Sequence, residues 1–256
     1  MARDSETSLD AGRAEGKTTG EQGEADQERP EGRLLWVFLY ALAMAYVEAA
    51  VVAYLRRLFG IGGGYGAAPA FDPAIAAIEG GREAATLIML FAVGWLAGSR
   101  RRAKLAFAFY AFGIWDIFYY AWLRILIGWP SGLLDTDLLF LLPSPWWGPV
   151  LAPVLVSILL VAAGIVVVLD DARRPKDSPK RAPPSRPIDR LALIIGMLTI
   201  FYSFAGEGLG RAASGGSGMP APSAFDWPLF LAGYGLSTFA LAKLLFRGKA
   251  KEGEGR

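Results

Sequence analysis

Neither cysteine nor histidine occurs anywhere in this 256-residue chain. Their absence removes disulfides, thiol nucleophiles, imidazole metal ligands, axial haem histidines and every histidine-based catalytic dyad or triad. Net charge is also small, with 26 basic residues against 24 acidic ones. A near-neutral chain carries no electrostatic footprint for nucleic acid, and no nucleic-acid partner is expected. Whatever chemistry the protein performs must use carboxylates, arginine, lysine, tyrosine, serine or threonine, and no cofactor is expected.

What the chain has in abundance is apolar sequence in long runs, 54% of its residues being hydrophobic. Runs of that length cross a hydrocarbon core of about 30 Å, so the expected fold is an all-α, polytopic bundle of six transmembrane helices in the lipid bilayer. The helices are placed at about 34–58, 73–98, 105–127, 148–169, 188–205 and 227–246, within one transmembrane domain, 34–246. Residues 1–33, rich in Glu, Asp, Gly, Thr and Gln, cannot bury enough apolar surface to offset ordering entropy and are read as a disordered cytoplasmic tail. The first long apolar run starts only at Leu34, too late for a secretory leader. Residues 247–256 read as a second polar cytoplasmic tail.

The connections carry their own signals. Gly60-Ile-Gly-Gly-Gly-Tyr-Gly66 has the look of a phosphate-binding turn, but it leaves a membrane helix rather than a strand and lacks the last glycine of the dinucleotide fingerprint; it reads as a linker. Asp72-Pro73 has the form of an N-cap followed by a first-turn proline. Ser99-Arg-Arg-Arg-Ala-Lys104 stops the second helix. Leu133–Leu142 is too short to span and is expected to lie at the interface, with a short helix beginning at Leu138. Trp146 and Trp147 suit the head-group belt, Pro149 a first helical turn, and Pro153 a bend. The Pro-, Arg- and Lys-dense segment Asp170–Pro187 reads as a basic linker beside anionic lipid.

Orientation follows from the basic residues. The N-terminal tail, the connections after the second and fourth helices and the C-terminal end hold 21 of the 26 Lys and Arg. The opposite side holds Arg56, Arg57, Arg82, Arg124 and Arg211. The positive-inside rule then puts both termini in the cytoplasm, in keeping with an even number of helices.

Two stretches 68 residues apart share a pattern. Tyr46–Gly60 and Ile114–Gly128 each place an acid (Glu48, Asp116) eight residues before an arginine (Arg56, Arg124), with an alanine, an aromatic and a leucine between them. Chance similarity of apolar helices and duplication of a two-helix unit both account for it. Acids and guanidinium groups in a membrane cost several kcal/mol unless paired or wetted, so they should turn towards each other or towards a cavity. Arg82 and Glu83 descend to about the level of Glu48 on the second helix. Asp116, Tyr120 and Arg124 recur every four residues on one face of the third, beside an aromatic stripe of Trp115, Tyr119 and Trp122.

Two readings stand. In one, Glu48, Arg82, Asp116, Tyr120 and Arg124 bind a ligand in an outward-facing pocket walled by aromatics. In the other, the acids form interhelical pairs, such as Glu48 with Arg82. Asp135-Thr-Asp137 offers a second candidate, because an Asp-x-Asp pair can hold a divalent cation through hard oxygen ligands; the plainer reading is a helix cap.

Tyr46-Val-Glu48, Gly81-Arg-Glu-Ala-Ala-Thr86, Trp115-Asp-Ile-Phe-Tyr-Tyr120 and Gly128-Trp-Pro130 resemble a group of uncharacterised bacterial inner-membrane proteins. The likeness covers about residues 34–170. It implies a multi-pass protein of the bacterial cytoplasmic membrane and brings no activity with it. The leading functional expectation is binding or transport of a small polar solute or lipid head group. The alternatives are an enzyme acting on a lipid-linked substrate with Asp135 and Asp137 as metal ligands, and a non-catalytic accessory subunit that docks a membrane protein partner.

Overall fold

A computed structural model describes residues 29–59, 73–142, 144–173, 186–214 and 224–253. Residues 1–28 of the tail expected at 1–33, the glycine-rich linker 60–66, the Asp72 cap and most of the basic linker after residue 173 lie outside them, whereas residues 30–33 are helical and not part of a tail. Among the described residues are six long helices, α1 (Pro30–Leu58), α2 (Pro73–Ala97), α3 (Arg101–Ile127), α4 (Leu151–Ala172), α5 (Pro187–Ala213) and α6 (Trp227–Gly253). A hairpin of two short strands, β1 (Thr136–Phe140) and β2 (Trp146–Pro149), joins α3 to α4. Five of the helices are long and apolar enough to cross a membrane, which makes this a multi-pass membrane protein. The one outside that group is α2, where Glu79, Arg82 and Glu83 shorten the apolar run.

Helices end where the sequence removes a partner or a conformation. Pro30 opens α1, where its missing N–H is harmless. Gly128, at φ +72°, closes α3 in the left-handed conformation and donates its N–H to the Arg124 carbonyl at 3.1 Å. The expected stop at 247 is passed, since α6 continues to Gly253.

Packing in lipid gains nothing from burying oil against oil, so small residues decide where helices meet. Ala41, Ala45 and Ala49 are fully buried and put one face of α1 against α3. Gly113 and Gly164 let α3 and α4 close together; a Cβ on Gly113 would sit 2.6 Å from the Ser157 carbonyl oxygen. On the far side α5 and α6 pack chiefly on each other, and they reach the other helices mainly through α4 and β2.

The hairpin corrects the sequence reading. Leu133–Leu142 holds no short helix: Asp137 faces Gly148 and Leu138 faces Trp147 across an antiparallel ladder, with an irregularity before Phe140. Two further bonds lengthen the ladder, Val150 N–H to the Asp135 carbonyl (3.0 Å) and Leu151 N–H to the Leu133 carbonyl (2.8 Å). Non-helical backbone at membrane depth survives only where such groups are satisfied inside the protein. Trp146 and Trp147 therefore lie in β2 rather than at the start of a helix, and Trp147 is buried. Pro149 also belongs to β2, so α4 begins at Leu151 rather than 148, and Pro153 falls in its first turn.

Candidate functional site

The second helix supplies the charged centre. Arg82 and Glu83 stand three and four residues after Glu79, the spacings at which each shares a helical face with it. Arg82 bonds the Glu79 carboxylate at 2.8 Å and reaches across to Glu48 on α1. The second Glu48 oxygen accepts a hydrogen bond from the Thr86 hydroxyl at 3.0 Å. Both oxygens of Glu83 face the Leu141 N–H just past β1, at 3.0 and 2.9 Å, and the Leu142 N–H also reaches this carboxylate. All three glutamates are buried. Of the five residues expected to form a site, the structure thus brings Glu48 and Arg82 into direct contact.

The other three lie apart from that pair. Asp116 is buried against α4, where it accepts a hydrogen bond from the Ser157 hydroxyl at 2.8 Å. The Tyr120 hydroxyl lies beside the Asp137 carboxylate. Arg124 makes no ion pair with Glu48 or Asp116, though its charge reaches Asp135. It is exposed and donates to the carbonyls of Gly128 (2.7 Å) and Pro130 (2.8 Å) at the end of its own helix, the natural place for a cation on a helix C-terminus.

Asp135 and Asp137 point into different surroundings, as successive odd positions at the start of a short strand do when one lies before the ladder and one within it. Asp135 accepts from the backbone N–H and the hydroxyl of Ser131, both at 2.7 Å, and those bonds hold its carboxyl below the usual range. Asp137 is 1% exposed and meets the Arg56 guanidinium at 3.2 Å, and Arg56 in turn lies 3.7 Å over the Trp129 ring. Burial pushes the Asp137 carboxyl up to about 7 despite the attraction of Arg56. Among the described residues no three Asp, Glu, His or Cys side chains gather as metal ligands would.

Glu48, Glu79, Arg82, Glu83, Asp116 and Tyr120 all line one cavity of about 500 Å³. That volume falls within the range of small-molecule sites. Its wall on α3 runs from Arg102 to Tyr120, about 27 Å at 1.5 Å per residue, close to the thickness of a hydrocarbon core. Between the glutamates at one end and Arg102 at the other the lining is mostly apolar, from α3, α4 and α5, with Leu241 of α6; its polar members are the Asp116–Ser157 pair and Ser237. The cavity is therefore long and largely apolar, with the glutamates and Arg82 at one end and Arg102 at the other.

Sequence reasoning placed Glu79 and Glu83 on the second helix without assigning them to the site, and missed Thr86, Ser157 and the hairpin residues. The signals were present for some of these. Glu79 precedes Arg82 by three residues and Glu83 by four, both helical spacings, and Ser157 is the sole hydroxyl side chain between Leu151 and Leu169. Nothing in the sequence marks Leu141, because its contribution is a backbone N–H.

No protein-family model, no curated protein and no solved structure matches this chain.

Proposed function

We propose that this protein binds or transports a membrane-borne amphiphile, whose polar head meets the Glu48, Glu79, Arg82 and Glu83 cluster and whose apolar part lies along the cavity. The observation that carries the reading is continuity: one cavity has buried glutamates and an arginine at one end and, beyond them, an apolar wall that on α3 runs from Trp115 to Leu105, about 15 Å. A small polar solute would leave most of that wall facing water. A lipid or lipid-like molecule would cover it and would bring its head to the charges.

The reading includes six membrane crossings, with α2 as the charged sixth, both termini in the cytoplasm, and residence in a bacterial inner membrane. The distribution of basic residues supports the orientation. So do the pairs Arg100–Asp171 (3.4 Å) and Arg102–Asp170 (2.9 Å), which tie the start of α3 to the end of α4 on the basic side. On this topology the glutamate cluster faces the outer half of the bilayer.

The test is the lipid retained by purified protein after exhaustive washing, measured by mass spectrometry. Ala163 lies in the α4 wall of the cavity. Ala163→Phe, which fills the apolar body, and Arg82→Gln, which removes the central cation, are each expected to lower retained lipid about tenfold, the effect of roughly 1.4 kcal/mol in binding. Unchanged lipid in both variants would falsify the reading.

A further inference from the structure

We infer that the head group this cavity takes carries an ammonium cation. The inference rests on the amphiphile reading above and goes on to name the chemistry of the head. Three buried carboxylates stand at the charged end, Glu48, Glu79 and Glu83, against the single guanidinium of Arg82. Arg82 is already divided between Glu48 and Glu79. Glu83 is met by the backbone N–H groups of Leu141 and Leu142 and, among the described residues, by no cation of its own beyond the shared Arg82. A carboxylate can accept about four hydrogen bonds, so much of the acceptor capacity at this end is left for a ligand that donates. A phosphate or carboxylate head entering alone would add a further negative charge to a group of buried acids.

A second, independent feature of the same wall favours a cation. Phe112, Trp115, Tyr119, Phe140 and Trp146 line the cavity and touch one another. Ring centroids are 5.5 Å apart for Phe112 and Trp115, 6.1 Å for Trp115 and Tyr119, 6.3 Å for Trp115 and Phe140, and 5.4 Å for Phe140 and Trp146. Tyr119 lies near enough to Arg82 to interact with it electrostatically, which sets the aromatic group beside the glutamates. Aromatic faces and carboxylates together are the surroundings in which proteins bind ammonium groups. Trp115 is 5% exposed, and its indole N–H has no hydrogen-bond partner among the described residues. An amphiphile with an acceptor oxygen a few bonds from its ammonium group, such as an aminoalkyl phosphate ester, would satisfy that donor while placing the cation at the glutamates.

The experiment presents the full-length protein with an equimolar mixture of phosphatidylethanolamine and phosphatidylglycerol of matched chains, and counts the bound lipids by native mass spectrometry. The ethanolamine lipid is expected to exceed the glycerol lipid about tenfold. Glu79→Gln, which leaves Arg82 its bond to Glu48, is expected to bring the two lipids close to parity while the protein stays folded. Equal binding in the wild type, or preference for the glycerol lipid, overturns the ammonium assignment. If Ala163→Phe still empties the cavity in that case, the amphiphile reading survives it; if Ala163→Phe changes nothing, the amphiphile reading itself fails. Soluble ethanolamine is expected not to raise the unfolding midpoint. A rise with it alone would mean that the ligand is a free amine, which overturns the requirement for a lipid.

Discussion

The stretches Glu48–Arg56 and Asp116–Arg124 share an acid, an alanine, an aromatic, a leucine and an arginine at the same offsets, yet the protein uses them differently. Glu48 is held by an arginine and a threonine of α2, whereas Asp116 has a single serine of α4. Arg56 is buried between Asp137 and the Trp129 ring, whereas Arg124 is exposed and caps its own helix. The difference lies in what each helix faces. The charged segment of α2 and the hairpin meet α1; the apolar α4 meets the acid end of α3. A repeated pattern on two helices therefore fixes positions for charge, and the neighbours fix the use.

That contrast can be broken most forcefully at the arginines. Arg56→Met should destabilise the protein by about 3 kcal/mol, the low end of the cost of breaking a buried ion pair, because Asp137 can take up a proton in its place. The pH dependence has a definite sign. The Asp137 carboxyl is raised in the folded protein to about 7, so stability from its proton is complete below the unfolded value near 4 and is lost as pH rises through 7. Removing Arg56 raises that carboxyl further, so the loss should grow above about pH 7 and shrink at about pH 5. Thermal unfolding in detergent at the two pH values measures it, and adding Asp137→Asn to Arg56→Met should recover part of the loss.

The acids come next. Glu48→Gln should cost about 2 kcal/mol, since Arg82 keeps Glu79 but its charge-assisted bond across to α1 becomes a weaker one to a neutral amide oxygen. Asp116→Asn should cost less than about 1 kcal/mol or raise the midpoint, because the asparagine oxygen still accepts from Ser157 and no buried cation is left behind. Equal losses at the two acids would erase the distinction between them. The smallest effect is expected at Arg124→Gln, about 0.5 kcal/mol, the value of a cation near an exposed helix end. A large fall in the midpoint there would mean that Arg124 serves more than its own helix terminus.

Much of the fold was legible because it is written in run length. The apolar runs at Leu34, Leu105 and Gly148 locate three helices to within a few residues, and Gly128 locates an end through its backbone conformation. The hairpin was not legible. Its leucines give neither a clear two-residue nor a clear helical period, and its stability comes from ladder bonds and from a glutamate 58 residues away. In the site, Glu48, Arg82 and Asp116 stood out because charge is rare in an apolar helix. Their partners did not, since a serine or a backbone N–H looks the same wherever it occurs.

The bond between Arg56 and Asp137 joins residues 81 positions apart. At synthesis rates of about 5–20 residues per second, the acid emerges about 4–16 s after the arginine. For that interval α1 exists with a guanidinium near its end and no counter-charge from the hairpin. The apolar body of α1 and its tryptophan- and tyrosine-bearing flanks must hold it in place meanwhile, so the hairpin acts as a late clasp on a helix already inserted.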